Sequence, residues 1–193
     1  MKEKKFKLDT LAIHEGRAPR EQRSIVNVPV YRSSTVLFST LEELEASNHE
    51  TPFPGQLNYG RQGLPTTFAL EEAVTSLEGG FSSLTVASGL AAITTTLLAF
   101  VSRGDHLLVA DSVYGPTRRF CDRMLGRMGV ETTYYDPMIG AGIEKLVRPN
   151  TRCIFLESPG SLTFEVQDVP AIAKIARQHG VVTLLDNTWA TPL

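Results

Sequence analysis

Residues with useful chemistry follow three apolar stretches of the sequence, at the points where β-strands are expected to end. Ser88 and Gly89 follow SSLTVA, Tyr114 lies shortly after HLLVA, and Asp186 closes VVTLLD. A glycine at a helix start lets a ligand approach the backbone, and the free N–H groups there favour a phosphate. A tyrosine ring can stack on a flat ligand. A carboxylate that ends an apolar strand needs a cation or a hydrogen-bond donor.

Each of these residues also has an ordinary structural interpretation. Gly89 can make a tight turn, Tyr114 can belong to the core, and Asp186 can cap the turn at 187–191. Glu157, which closes the apolar stretch TRCIFLE, can orient a neighbour or cap the next turn. Their joint arrangement at successive strand ends favours one anionic ligand with an aromatic ring. Pyridoxal phosphate is such a ligand, and its pyridinium nitrogen would be the partner of Asp186.

Other ligand classes lack their motifs. The sequence contains no GxGxxG, no GxxxxGK[ST] and no GxSxG, so dinucleotide, nucleoside-triphosphate and serine-hydrolase sites lose support. The four histidines show no metal-ligand spacing, and we expect no metal site.

The elements that must position these residues alternate between strand and helix. The pattern predicts an α/β fold with a mostly parallel sheet and helices on both faces, and ligands of such sheets bind outside the carboxyl ends of the strands. The predicted strands are 82–88, 106–110, 130–136, 151–158 and 181–186, and the predicted helices are 66–80, 89–102, 116–129, 142–147 and 169–180.

The first 65 residues have little periodic structure. The start, MKEKKFKLDT, is expected to be a solvated tail, 27–38 can form short extended segments, and 38–47 can form one helix. Residues 52–65 are rich in Pro and Gly and predict a loop. We therefore divide the chain into an N-terminal arm, 1–65, that packs on another part of the protein or on a neighbouring subunit, and a large domain, 66–193.

Composition limits the classes of partner and compartment. The chain of 193 residues is 42% hydrophobic and 21% charged with a net charge of −2, an ordinary globular balance that makes nucleic acid an unexpected partner. No apolar run is long enough to cross a bilayer, and no apolar segment follows the charged N-terminus as in a secretory signal. Cys121 and Cys153 lie far apart in sequence, which favours a reducing, cytoplasmic compartment.

Five blocks, in order along the whole chain, resemble the cysteine/methionine-metabolism family of pyridoxal-phosphate enzymes. The resemblance implies the large domain of the fold-type I aminotransferase-like architecture, pyridoxal 5′-phosphate as cofactor, and a homo-oligomer that is a dimer of dimers. The blocks are YGRQGLPTTFALEEAVTSLEGG (59–80), ASGLAAI (87–93), GDHLLVADSVYGPTRRFC (104–121), FLESPGSLTFEVQDVPAI (155–172) and LDNTWATP (185–192).

The resemblance also implies roles for individual residues. Tyr114 matches the ring that stacks on the cofactor, and Asp186 matches the partner of the pyridine nitrogen. Arg61 matches a phosphate-binding residue of the neighbouring subunit's site, where Tyr59 helps with substrate or proton traffic, so Tyr59 and Tyr114 are the expected catalytic residues. The complete expected cofactor-binding set is Tyr59, Arg61, Ser88, Gly89, Leu90, Tyr114, Asp186 and Thr188.

The activity that the resemblance implies is the carbon–sulfur lyase reaction of methionine biosynthesis. ESPGSLTFEVQDVP and DNTWATP favour β-elimination of cystathionine, an amino-acid thioether, to homocysteine, pyruvate and ammonia. The γ-synthases and γ-lyases usually carry an Asn-Pro that is missing here, yet action at Cγ stays an alternative. The family's cofactor-binding lysine lies on a Ser-x-Thr-Lys segment beyond DNTWATP, which this sequence does not contain. We therefore expect little or no lyase activity from this chain alone, and a truncated or helper chain is the other alternative.

Overall fold

The computed structural model describes residues 6–49 and 57–192. Part of the predicted 52–65 loop and the start of the predicted tail lie outside these residues. The chain forms two compact units, Met1–Thr85 and Val86–Thr191. The first unit contains helices α1 (Leu8–His14), α2 (Leu41–His49) and α3 (Pro65–Glu78).

Helix α3 begins and ends at the kinds of residue that its sequence predicts. Pro65 stands at the helix start, where its missing N–H is no loss, and Gly79 ends the helix in the left-handed conformation at φ 60°. Helix α1 begins within the segment expected to be a solvated tail; from Leu8 onward that segment is helical, although none of the residues of α1 is buried. Residues 27–38 form no regular strand, and their ladder contact is a single antiparallel bridge between Thr35 and Tyr59.

The second unit is a parallel sheet with helices between its strands. The strands are paired side by side in the order β2-β1-β3-β4, and all three pairings are parallel. In chain order the elements are α4 (Gly89–Phe100), β1 (His106–Ala110), α5 (Gly115–Phe120) continued by a π-helical turn (Cys121–Leu125), β2 (Glu131–Tyr135), a 3₁₀ segment (Gly140–Leu146), β3 (Thr151–Glu157), α6 (Val169–Gln178) and β4 (Val182–Asp186).

Two apolar cores cover the two faces of this sheet. Alternate residues of β1 separate between them, because successive side chains of a strand point to opposite faces. Leu107 and Val109 pack with Leu97 of α4 and Leu125 of the π turn. Leu108 and Ala110 pack in the other core, which also contains Ile143, Ile172 and Ala176. The predicted α/β fold with helices on both faces is therefore confirmed.

The order of the strands reverses between β1 and β3. The chain passes from β1 to β2 on one side and then returns to place β3 and β4 on the other side. In open α/β sheets, the carboxyl ends of the strands at such a reversal leave a crevice that binds ligands. Here that crevice lies beside the segments that follow β1 and β3.

Three local predictions differ from the structure. Residues 82–88 are not a strand, because Thr85 gives its N–H and its hydroxyl to Glu71 Oε1, each at 2.8 Å, instead of to a neighbouring strand. The predicted helix 116–129 contains the π turn, and the short helix predicted at 142–147 is a 3₁₀ segment. Apolar periodicity does not distinguish these helix types, since one apolar face suits each of them.

Two kinds of feature are absent from the described ranges. Within 6–49 and 57–192, no helix has the length and apolar character needed to cross a bilayer. Over the same residues, no group of three or more His, Cys, Asp or Glu side chains is arranged to hold a metal ion.

Candidate active site

A cavity of about 600 Å³ opens at the carboxyl ends of β1, β3 and β4. Six of the eight cofactor-binding residues expected from the sequence line it. They are Ser88, Gly89, Leu90, Tyr114, Asp186 and Thr188. The parallel sheet explains this convergence for Tyr114, Asp186 and Thr188, since the ends of parallel strands meet at one edge of the sheet. Ser88, Gly89 and Leu90 instead reach the cavity as the start of α4.

The start of α4 forms one wall of the cavity. Ser88 has extended backbone and is the N-cap, and its hydroxyl accepts the N–H of Ala91 at 3.1 Å. No atom lies within 4 Å of the position that a Cβ on Gly89 would take, so the backbone is open to a ligand there. The first N–H groups of a helix have no partners within the helix, and its dipole is positive at this end. This wall is therefore suited to an anion.

Tyr114 lies on a second wall, between β1 and α5. Its side chain is 44% exposed and lines the cavity. Its backbone N–H donates to Glu157 Oε2 at 2.8 Å, and its carbonyl accepts the N–H of Arg118 at 3.1 Å. The backbone that places the ring is thus held from β3 as well as from its own helix.

Asp186 ends β4 directly beside Glu157 of β3. Its Oδ1 atom accepts both the N–H of Thr188 at 3.0 Å and the hydroxyl of Thr188 at 2.5 Å. The turn-capping interpretation from the sequence is therefore correct for Oδ1. Oδ2 has no partner among the described residues, and it is the oxygen left for a ligand.

Glu157 is a cavity residue that the expected site set lacks. Burial is the main cause that raises the pKa of its carboxyl, the Tyr114 N–H lowers it, and the negative charge of Asp186 raises it further. The sequence indicated a role for Glu157 in one way, because an acid there closes an apolar strand. Its partner could not be identified from the sequence, because Tyr114 lies 43 residues away.

The rim of the cavity is apolar, and the sequence analysis missed this feature. Leu162, Phe164 and Trp189 line the cavity while 90%, 56% and 70% of their surfaces are exposed. The rings of Phe164 and Trp189 meet edge to face with centroids 6.4 Å apart. Leu162 and Phe164 adopt φ of 68° and 60°, which is uncommon for bulky side chains and strains the backbone.

Tyr59 and Arg61 belong to the first unit and are not among the residues that line the cavity. Tyr59 forms the bridge to Thr35, and the Arg61 guanidinium lies 5.7 Å from the centre of the Tyr59 ring. Gly60 between them allows a close approach, because an added Cβ would lie 2.0 Å from the carbonyl oxygen of Ser33. Their expected role in a neighbouring subunit's site stays a prediction.

Comparisons with known proteins agree with the sequence resemblance. The family model described as Cys/Met metabolism PLP-dependent enzyme matches residues 9–193. A Rhizobium johnstonii protein with a provisional cystathionine β-lyase name is 50% identical over 96% of this chain and 46% of its own length. The cystathionine β-lyase of Salmonella typhimurium is 43% identical over 95% of this chain and 47% of its own. The chain thus spans about half the length of the curated relatives it matches.

A solved structure has the same architecture. The crystal structure of a cystathionine γ-lyase from Lactobacillus plantarum, complexed with L-serine, matches with a TM-score of 0.86 and 34% identity. The match covers 97% of this chain and 46% of that one.

Proposed function

Because the chain belongs to the Cys/Met-metabolism family of PLP-dependent enzymes, we propose that it provides the cofactor cavity of a carbon–sulfur lyase that cleaves cystathionine by β-elimination. The products would be homocysteine, pyruvate and ammonia. The observation that supports this most is the convergence of Ser88, Tyr114 and Asp186 on one cavity. The names of the two β-lyase relatives are the support for the substrate.

The residues of the cavity fit pyridoxal 5′-phosphate. The open backbone at Gly89 and the start of α4 suit its phosphate, the exposed ring of Tyr114 suits its ring, and Oδ2 of Asp186 suits a protonated ring nitrogen. When bound, the cofactor supplies an electron sink for the α-carbon of an amino-acid substrate. In this proposal Asp186 keeps the proton on the ring nitrogen, and Tyr114 keeps the ring in place.

Asp186 and Asp136 make a matched pair for testing the cofactor site. Asp186 ends β4 and Asp136 directly follows β2, and each accepts the N–H of the residue two positions later, Thr188 at 3.0 Å and Met138 at 2.8 Å. Asp136 does not line the cavity. We expect Asp186→Asn to weaken binding of pyridoxine 5′-phosphate by about tenfold or more, and Asp136→Asn to leave it unchanged.

Binding can be followed in two ways. This ligand has no aldehyde and cannot react with surface lysines, so calorimetry reports the cavity. Trp189, the chain's single tryptophan, lines the cavity and gives an independent fluorescence signal. Absence of binding by the wild-type chain would contradict the proposed cofactor site.

We further propose that the chain alone turns over little cystathionine. No lysine is among the cavity-lining residues in the described part of the chain, and an amine is the family's expected base. The test is an assay for 2-oxo acids with purified chain, cofactor and cystathionine, with and without methylamine as a replacement amine. Pyruvate that appears only with methylamine supports β-elimination. Pyruvate at enzyme-like rates without it contradicts the proposal of low activity.

Action at Cγ is the alternative activity, and the structural match to a γ-lyase favours keeping it. The same assay separates the two reactions, because γ-elimination gives 2-oxobutyrate. If no 2-oxo acid forms under either condition, a non-catalytic role becomes the alternative to test, and copurification with a longer, lysine-bearing chain would support it.

We propose that Tyr59 and Arg61 complete the cavity of a neighbouring copy in a homo-oligomer. The guanidinium of Arg61 suits a phosphate, since its planar donors bind paired oxygens. Mixing Arg61→Ala chains with Asp186→Ala chains tests this, because a shared site regains one intact cavity per mixed dimer. Binding that stays as weak in the mixture as in each variant would argue against shared sites.

We propose a cytoplasmic location, for which the support is the pair of free, buried thiols of Cys121 and Cys153. Cell fractionation with an antibody against the chain tests this location.

A further inference from the structure

Glu157 joins the two sides of the crevice at the strand reversal. Its Oε2 atom accepts the Tyr114 N–H at 2.8 Å; Glu157 ends β3, and Tyr114 lies between the neighbouring strand β1 and α5. Both residues also line the cavity. The bond therefore connects a wall that holds a carboxylate pair, Glu157 and Asp186, to the wall that presents the tyrosine ring.

The Tyr114 N–H has no acceptor other than Glu157 among the described residues. Its side chain makes no capping hydrogen bond to α5, and its carbonyl bond to Arg118 lies within the start of that helix. The remaining contact that holds its backbone from another strand is the one to Glu157. Removing this acceptor would leave the Tyr114 amide without a partner, while the neighbouring backbone stays held by α5 and by the Ser112 carbonyl, which accepts the Ser161 N–H at 2.8 Å.

The carboxylate is costly at this position. It is partly buried, and Asp186 on β4 stands beside it as a second negative group. The Glu157 hydrogen bond goes to the residue whose ring is expected to cover the cofactor.

We propose that Glu157 is a positioning residue that sets the place of the Tyr114 ring against the cofactor ring through the Tyr114 N–H. This inference rests on the proposed function, since it takes the ring of the ligand in this cavity to be the ring that Tyr114 covers. Glu157 does not itself have to contact the cofactor for this role.

Three variants of the full chain test the role. Glu157→Ala removes the acceptor, Glu157→Gln keeps an acceptor oxygen without the charge, and Asp105→Ala removes a carboxylate that accepts a loop N–H, that of Ser102 at 2.8 Å, at the opposite end of the sheet. The probe is pyridoxine 5′-phosphate. Its affinity is measured by calorimetry, and the circular dichroism of its ring absorption band reports how the ring is held.

The expected result has a defined pattern. Glu157→Ala weakens binding by about tenfold, the size of losing one positioning hydrogen bond, and reduces the ring dichroism. Glu157→Gln restores both to within about twofold of the wild-type chain. Asp105→Ala can lower the unfolding midpoint but leaves both signals unchanged.

Two results would overturn the inference. One is wild-type affinity and dichroism in Glu157→Ala. The other is a Glu157→Gln variant as defective as Glu157→Ala, because the charge and not the hydrogen bond would then matter. Failure of the wild-type chain to bind the probe is distinguishable from both, and it would remove the proposed function together with this inference.

Discussion

The two ends of the same parallel sheet use polar residues in opposite ways. At the amino end, His106 is fully buried, and its ring nitrogens lie 2.8 Å from the hydroxyl of Thr151 and 2.9 Å from that of Thr133. At the carboxyl end, Tyr114, Glu157 and Asp186 open into a cavity, and Oδ2 of Asp186 lacks a partner in the described chain. Paired polar groups at one end stabilise the fold, while open ones at the other end are available to a ligand.

The two ends also differ in the pKa of their ionisable groups. Burial lowers the pKa of His106 and favours its neutral form, with a further contribution from Arg148. Burial raises the pKa of Glu157. A neutral histidine with both ring nitrogens hydrogen-bonded suits a permanent structural position. A partly buried acid beside a second acid is costly to the folded chain, and such groups occur often at functional sites.

The largest expected effect is that of His106→Ala on the free energy of unfolding. The substitution leaves a buried cavity and removes one hydrogen bond from each of two threonine hydroxyls, which keep their contacts to Arg148, so the free energy of unfolding should fall by about 2–4 kcal/mol. Tyr114→Ala at the other end should cost about 1 kcal/mol or less, because its side chain is half-exposed. Urea unfolding followed by circular dichroism measures both. Equal losses for the two variants would remove the distinction between the ends.

A smaller effect is expected from the N-caps of two helices. Ser88 caps α4 and Asp168 caps α6, each accepting the N–H three residues later at 3.1 and 3.0 Å. Alanine at either position should lower the free energy of unfolding by about 1 kcal/mol. Only Ser88→Ala should also weaken pyridoxine 5′-phosphate binding, since Asp168 does not line the cavity. Equal binding by the two variants would exclude the start of α4 as the phosphate wall.

The smallest expected effects are on the pH dependence of thermal stability, and they too distinguish the two ends of the sheet. Glu131, at the amino end, has its pKa lowered by the hydrogen bond and charge of Arg148, so its ionised form stabilises the folded chain. Glu157 has a raised pKa, so its ionised form destabilises the folded chain. At neutral pH, Glu131→Gln should therefore lower the thermal midpoint and Glu157→Gln should raise it.

Both differences should disappear on acidification, over different ranges. The Glu157 difference fades as pH falls through its raised pKa toward the ordinary glutamate value, where the wild-type side chain is already protonated. The Glu131 difference fades only as pH falls from the ordinary value through its lowered pKa. Thermal melts of the two variants and the wild-type chain across this pH range measure the signs. Shifts of the same sign at neutral pH would contradict the assignment of the two environments.

The sequence predicted the elements that have strong patterns and missed those that depend on contacts. Strand β1 was predicted with its exact ends, 106–110, and β2, β3, β4 and α4 within two residues at each end, because apolar runs and helix punctuation are local. Residues 82–88 have the same strand-like composition, yet Thr85 bonds to the α3 side chain of Glu71. A local sequence pattern does not reveal whether a backbone N–H will bond to a neighbouring strand or to a side chain.

The candidate site could likewise be predicted where it depends on local patterns, and not where it depends on contacts between distant residues. The acid that ends β4 and the tyrosine that follows β1 are visible in the sequence, since parallel strands deliver their ends to one edge. The glycine is visible only as the start of a helix. The apolar rim was not, because Leu162 and Phe164 reach it through left-handed backbone conformations that their side chains disfavour. Glu157 is visible in the sequence as an acid at a strand end, but its hydrogen bond to the Tyr114 N–H is visible only in the structure.

The sequence by itself determined the alternation of strand and helix, the family resemblance, and which side chains stand at the ends of the strands. Only the tertiary structure decided that β3 lies between β1 and β4. That order puts Glu157 beside Asp186 and within 2.8 Å of the Tyr114 amide. The physical reason is that strand order depends on which helices cover each face of the sheet, a choice made by packing between residues that are distant along the chain.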